Sequence, residues 1–317
     1  MTDYTKHTGY MDLQINGYAG VDFNAPQLSL DEVERVCARL EADGVEGVLA
    51  TVITDALPRM AERIARLANF CEQSEQVRRV VRGVHVEGPF LNETIGYVGA
   101  HPAEHVRPAS VDDVDRLIDA GGGVVSLMTL APERDSALRV TRHLAEQGIL
   151  VSAGHCDTPL DLLTDSIEAG LSLFTHLGNG CAAQVDRHDN IIQRALSLSD
   201  RLWLCFIADG IHVPWFALGN YVRCAGPERC IIVSDAIAAA GLGPGRYSLG
   251  ELGIDVGPDR VARYGDTGYL AGSCTTLPDA ASNLAEHLHL TEAQIHQMTH
   301  ANPLAVLRHE TLHARPN

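Results

Sequence analysis

What this sequence lacks narrows the field first. Phe, Trp and Tyr make up only 5% of its 317 residues, so the core must be aliphatic. Runs rich in Val, Ile and Leu suit strands buried on both faces of a parallel sheet. Basic residues are scarce: 24 Lys plus Arg stand against 41 Asp plus Glu, a formal net charge of −17. Such a chain repels nucleic acid and anionic membrane, which are excluded as partners. An anionic small molecule is admissible only through a local basic pocket. No apolar run approaches the ~20 residues needed to cross a bilayer. Residues 1–10 are polar, without the apolar stretch of a secretory leader. None of the eight cysteines falls in a Cys-x-x-Cys pair. In a chain of this length they read as buried, reduced thiols, and the expected compartment is the cytoplasm.

What is present is a repeating strand–loop–helix pattern. Apolar runs fall near 10–15, 47–53, 80–86, 124–130, 149–153, 171–175, 202–207 and 230–234. Between them lie helical periods with start and stop signals. Ser29 and Glu32 form a candidate capping box, followed by an apolar face of Val33, Val36 and Leu40 and a stop at Gly44. Ser110 opens a helix that ends at the Gly121–Gly123 run. Thr158 and Pro159 read as the N-cap and first turn of another that ends at Gly170. Thr291 with Gln294 starts a helix near the C-terminus. Eight strands alternating with helices predict a (β/α)₈ barrel of the TIM type, one domain over residues 1–317, in preference to a doubly wound sheet. Residues 88–109 are expected to form a long functional loop after the third strand. Residues 241–270 are expected to form a hairpin inserted after the eighth strand, before the last helix.

Barrel enzymes place their reactive groups where strands end and loops begin. Gln14, Glu87, His155, His176, His212 and Asp235 all occupy such positions. Glu87, His155 and His176 offer one carboxylate and two imidazoles, a set suited to a borderline-soft divalent ion with an open position for water. Asp235 is then left to move protons. Each residue also has a plainer reading. Glu87 before Gly88-Pro89 could cap a turn, but a carboxylate ending an apolar strand is costly unless paired. A lone histidine is more often a satisfied core residue, and it is the shared strand-end placement that favours ligation. Asp235 could be a helix N-cap, and His101 and His212 surface loop residues. Gly178-Asn179-Gly180 is either a tight turn or an anion nest. Cys156 reads as a packed thiol, and His287, His289, His296, His300, His309 and His313 as solvated.

Taken in order, the motifs resemble the N-acetylglucosamine-6-phosphate deacetylases of the amidohydrolase superfamily. They run from Asp12-Leu13-Gln14-Ile15-Asn16-Gly17, through His85-Val86-Glu87-Gly88-Pro89-Phe90, Gly99-Ala100-His101-Pro102, Leu130-Ala131-Pro132-Glu133 and Ser152-Ala153-Gly154-His155. They continue with Thr175-His176-Leu177-Gly178-Asn179, Ile207-Ala208-Asp209-Gly210-Ile211-His212-Val213, Val233-Ser234-Asp235-Ala236, Leu270-Ala271-Gly272-Ser273 and Ala301-Asn302-Pro303. The resemblance implies a metal-dependent amide hydrolase, with Glu87, His155 and His176 as ligands and Asp235 as acid/base. His101 would then stabilise the developing oxyanion. It places substrate contacts at Ala100, His101, Asn179, Gly180, Arg187, Asp209, His212, Leu270, Ala271 and Gly272, with Arg187 and His212 gripping a phosphate.

The chain also departs from the resemblance. Gln14 and Asn16 stand where many amidohydrolases carry a second pair of ligands. One divalent metal ion per chain is therefore expected, zinc by preference, because neutral amides ligate poorly. The small β-sandwich common in the family is expected to be absent. The segment 184–190 around Arg187 differs from the family's wording. The resemblance implies a homodimer acting on a small amino-sugar phosphate. Two other readings share the motifs: a deacetylase of N-acetylgalactosamine-6-phosphate or of an unphosphorylated N-acetyl sugar, and a catalytically silent sugar-binding relative.

Overall fold

Eight parallel strands form the central sheet of the computed structural model, which describes residues 9–265 and 268–310. They are β1 (Tyr10–Ile15), β2 (Val45–Ile53), β3 (Val81–Glu87), β4 (Val125–Leu130), β5 (Leu150–Ala153), β6 (Leu171–Phe174), β7 (Trp203–Phe206) and β8 (Cys230–Ile232). Each pairs with its neighbour in chain order. A parallel bridge between Ile15 and Ala236, backed by the 2.9 Å bond from the Asp235 amide to the Gln14 carbonyl, brings the end of the eighth run back to β1. The eight expected strands and the barrel are therefore both present. The register aligns the strand ends: Ile53 lies opposite Glu87, Glu87 opposite Thr129, and Thr129 opposite Ser152.

Strand alternation builds two layers of core. Inward-facing Met11, Leu13, Leu49, Leu127, Leu150, Leu173, Trp203, Cys205, Ile231 and Val233 fill the barrel, and Val306 of the last helix packs with them. Outward-facing Val48, Val52, Val84, Val86, Met128 and Val151 pack under the helices. Each fully buried aliphatic side chain of this kind contributes ~1.5–3 kcal/mol, which anchors the strand ends that carry the site.

The helices follow their sequence signals closely. Helix α1 (Leu30–Ala42) starts at Ser29 with both capping-box bonds formed, and Gly44 beyond it has a positive φ of 83°. Helices α2 (Leu57–Gln73) and α3 (Glu75–Val80) follow. Helix α4 (Val111–Gly121) starts after Ser110 and ends on left-handed Gly122. After α5 (Arg139–Glu146) comes α6 (Leu160–Glu168), where the expected cap fails: Pro159 is itself the N-cap. The Thr158 hydroxyl turns away to donate to Glu133 at 2.6 Å. Helices α7 (Ile191–Ser197), α8 (Trp215–Ala225) and α9 (Leu277–Leu288) complete the outer layer. The chain closes with α10 (Glu292–His296), capped reciprocally by Thr291 and Gln294, and α11 (Asn302–Leu307).

Three further expectations need correction. The insertion after the eighth strand is a three-stranded antiparallel sheet rather than a hairpin: β9 (Gly245–Leu249), β10 (Leu252–Val256) and β11 (Ala262–Tyr264). Ile254, Val256 and Ala262 bury against Ile237, Ala239 and Ala271, so the third strand is held by its own small core. Among the described residues three α-helices follow it rather than one. The C-terminal histidines are not uniformly solvated. His300 is half-buried between His296 and Glu46, and exposed His287 stacks on Trp215 with ring centroids 4.5 Å apart. His289, His296 and His309 are exposed, and His313 lies outside the described residues. None of the cysteines forms a disulfide, but Cys224 is exposed and Cys71 and Cys181 are half-buried. Among the described residues, no helix is long and apolar enough to cross a membrane.

Candidate active site

Glu87 is the last residue of β3, and its carboxylate meets two imidazoles that arrive from just past the ends of β5 and β6. His176 Nε2 lies 2.9 Å from Glu87 Oε1, and His155 Nε2 lies 3.4 Å from the same oxygen. The ligand atoms of the three residues all lie within 4.8 Å of one another, and all three residues are buried. His155 Nδ1 donates to the Tyr97 carbonyl at 2.7 Å. That bond leaves Nε2 as the nitrogen with a free lone pair, the tautomer a metal ligand requires. Two ring nitrogens in one small buried space, next to a carboxylate, suit a shared divalent cation. The donor set fits zinc or a similar ion.

The backbone supports this convergence at some cost. His155, His176 and Asp235 have φ of 51°, 30° and 47°. Left-handed backbone is uncommon in residues other than glycine and collects at functional sites. Here it turns each side chain inward just past the end of its strand. Among the described residues no α-helix starts at Asp235, so the plain helix-cap reading does not hold.

Asp235 is held by amides. Its Oδ1 accepts from Asn16 Nδ2 at 2.7 Å and from Gln14 Nε2 at 3.4 Å. The Gln14 amide also donates to Glu87 Oε1 at 3.0 Å. Gln14 and Asn16 thus sit at the expected position on the first strand, as donors between carboxylates. Burial, reinforced by the charge of Glu87, pushes the Asp235 carboxyl up to about 7. Burial acts on Glu87 in the same sense, but the neighbouring imidazoles of His155 and His176 outweigh it and hold that carboxyl well below its usual range. Two carboxyls with divergent proton affinities side by side are a common acid/base signature.

His101 completes the constellation from the long loop. Its Nε2 lies 3.3 Å from His155 Nε2. Burial, then the neighbouring His155, lowers its pKa to about 3, so the ring is neutral. Nδ1 of His101 and Nδ1 of His176 are buried without a hydrogen-bond partner among the described residues.

These groups line one end of a cavity of about 630 Å³ that also takes in Ala100, Asn179, Gly180, His212, Leu270, Ala271 and Gly272. Leu270 and Ala271 reach it because they pair with β11, at Arg263 and Ala262. Gly180, at φ 59°, packs so near His155 that a Cβ there would lie 2.9 Å from Nδ1. Two expected contact residues are not brought into the lining. Asp209 stands behind His212, accepting from His212 Nδ1 at 2.6 Å and from two backbone amides of the same turn. Arg187 is exposed on the 181–190 loop, of which Cys181 to Gln184 do line the cavity. Cys156 is fully buried and burial drives its thiol well above the ordinary range, as a packed thiol requires.

Three contributors went unread in the sequence. His85 is buried beneath the site, bonded to the Leu13 carbonyl at 3.1 Å and the Thr129 hydroxyl at 2.7 Å. Tyr97 acts through its backbone carbonyl, which no side-chain motif reveals. Thr175 donates to the Gln14 amide oxygen. Strand alternation would put Thr175 and His176 on opposite faces. The left-handed turn at His176 breaks that alternation, so both reach the site.

Comparison with known proteins gives a consistent picture. No family model matches the chain. It is 31% identical over 296 residues to the N-acetylglucosamine-6-phosphate deacetylase of Bacillus subtilis (strain 168), covering 93% of this chain and 73% of that one. It is also 31% identical to the N-acetylgalactosamine-6-phosphate deacetylase of Escherichia coli O157:H7, covering 94% and 77%. Among solved structures, a variant N-acetyl-D-glucosamine-6-phosphate deacetylase from Mycobacterium smegmatis, in complex with N-acetyl-D-glucosamine-6-phosphate, superposes with a TM-score of 0.87. Its identity is 29%, over 98% of this chain and 80% of that one.

Proposed function

Since this chain belongs to the N-acetylglucosamine-6-phosphate deacetylase family, we propose that it hydrolyses the acetamide of N-acetylglucosamine-6-phosphate, releasing acetate and glucosamine-6-phosphate. The observation that carries this reading is the convergence of Glu87, His155 and His176 within 4.8 Å, with Asp235 bridged to Glu87 through the Gln14 amide. Glu87, His155 and His176 would hold one divalent ion, zinc by its nitrogen–oxygen donor set. That ion supplies a Lewis acid and lowers the pKa of water toward neutrality.

The protein's own groups account for the rest of the chemistry. Asp235 accepts a proton from the attacking water and returns it to the departing amine, a role for which a carboxyl poised near neutrality is suited. Asn16 and Gln14 fix the orientation of its carboxylate during both transfers. Neutral His101 donates a hydrogen bond to the acetamide oxygen as negative charge develops there. Ala100 and Leu270 to Gly272 shape the wall against the sugar. His212, its ring oriented by Asp209, presents its remaining nitrogen to the cavity beside Asn179 and Gly180, and together they take the phosphate. Arg187 is placed by this reading at the edge of that phosphate site.

A second reading, the 4-epimeric N-acetylgalactosamine-6-phosphate, is favoured by the equal 31% identity to an enzyme named for that sugar. We also read the protein as a homodimer: Ile95, Val185 and Ile211 are exposed on loops that line or adjoin the cavity, and Phe216 is exposed on the first turn of α8. A cytoplasmic setting fits cysteines that form no disulfide. Acetate release from both 6-phosphorylated N-acetylhexosamines and their unphosphorylated counterparts tests the proposal. The expected result is turnover of phosphorylated N-acetylglucosamine well above the others. No acetate from any of them, with the metal loaded, would refute it.

A further inference from the structure

The Gln14 amide is buried at the junction of three groups. Its nitrogen lies 3.0 Å from Glu87 Oε1 and 3.4 Å from Asp235 Oδ1, and its oxygen accepts from the Thr175 hydroxyl. A primary amide has nearly the same shape either way round. Reversed, it would turn its carbonyl oxygen toward two carboxylates and leave both without this donor. Gln14 and Thr175 are 1% and 2% exposed, so solvent has little access to repair a wrong orientation. Buried polar groups depend on their partners for that reason.

We propose that Thr175 is a positioning residue for the reaction. Its hydroxyl sets the orientation of the Gln14 amide, and through it holds the Glu87 and Asp235 carboxylates in their relative placement. The effect on turnover rests on the deacetylase reading, whereas the effect on the metal centre does not. Thr175 has a second contact that lets the two roles be separated. Its methyl Cγ2 lies where a Cβ on Gly154 would come within 2.5 Å, so it closes over the residue preceding His155. Thr175→Val keeps that methyl and removes the hydroxyl; Thr175→Ser does the reverse.

Outer groups that orient metal ligands are typically worth about 10–100-fold in affinity or activity. T175V is expected to lose kcat on that scale with KM little changed. It should also surrender its metal to a chelator at least about tenfold more readily, and shift the visible spectrum of the cobalt(II)-substituted protein. T175S is expected to resemble the wild type in all three. Gln14→Met provides the check on the route: adding T175V to Q14M should cost almost nothing more, because the two act as one unit. Should T175V fail to fold, Thr175→Ala takes its place in the same cycle. The proposal is overturned if T175V matches the wild type in affinity and spectrum. It is equally overturned if T175S is as impaired as T175V, or if the losses of Q14M and T175V simply add. Chelator competition and the cobalt spectrum are read without substrate, so failure to turn over any sugar leaves this test intact.

Discussion

Nε2 of His155 and Nε2 of His176 stand 3.2 Å apart with their rings nearly perpendicular, at 89°. The two imidazoles come from different strands, and each is turned by a left-handed residue toward the same point beside Glu87. Two ring nitrogens this close, beside one carboxylate, can be bridged by a shared cation that takes a lone pair from each ring. The protein should therefore bind a divalent metal tightly through these rings. A His155→Ala/His176→Ala double variant is expected to retain almost no metal after dialysis while keeping its fold, measured by elemental analysis and circular dichroism. Full metal retention would remove both rings from the ligand set.

Asp235 gives a prediction in which both shape and charge can be controlled. Asp235→Asn preserves the shape and cannot carry the proton, so turnover should fall at least about a hundredfold, the scale of a positioned acid/base. Metal content should be unchanged. Turnover near the wild-type rate would mean that another group carries the proton.

The pH dependence of the same residue follows from its surroundings. Asp235 acts as a base only when ionised, so activity is lost as pH falls through its pKa. A bound divalent cation favours the carboxylate, which places that acid limb below the value of about 7 set by burial and Glu87. Without metal the raised pKa is a stability term. Folding favours the protonated form, a contribution fully present below the ordinary 3.8 and lost as pH rises through about 7. Metal-free wild type should thus lose Tm relative to metal-free D235N between about pH 4 and pH 7. Parallel Tm profiles for the two proteins would contradict the assignment.

The proposed phosphate site predicts a larger role for His212 than for Arg187. His212 lines the cavity with its ring braced by Asp209 at 2.6 Å, whereas Arg187 is exposed outside the lining. His212→Ala is expected to raise KM for the 6-phosphorylated sugar by about tenfold or more, the worth of a charge-assisted hydrogen bond. The unphosphorylated sugar should be much less affected, and Arg187→Ala should have the smaller effect of the two. Steady-state kinetics on the paired sugars would expose the reverse ranking.

How much of this was legible in the sequence depends on the kind of interaction. The barrel was readable because eight aliphatic runs and the intervening helical periods each carry their own signal, as at the Ser29–Glu32 and Thr291–Gln294 capping boxes. The convergence of Glu87, His155 and His176 was readable because each sits at the end of such a run. Contacts between distant segments were not. The Thr158 hydroxyl had a local cap available and chose Glu133 across a loop. Arg187 was placed by motif order, but the 181–190 loop carries its side chain outward. The role of Thr175 required knowing that Gln14, far away in sequence, ends opposite it. The third strand of the inserted sheet needed the small core that Ile237 and Ala271 build beneath it.

The central claim is that one divalent ion, held by Glu87, His155 and His176, enables the reaction. Its most direct test is to strip the protein of metal and add zinc back in known increments, following acetate release from N-acetylglucosamine-6-phosphate. Activity is expected to be negligible without metal and to rise linearly to a break at one equivalent per chain, since Gln14 and Asn16 offer amides bonded to Asp235 rather than a second pair of ligands. A break at two equivalents, or full activity in the stripped protein, would contradict the account.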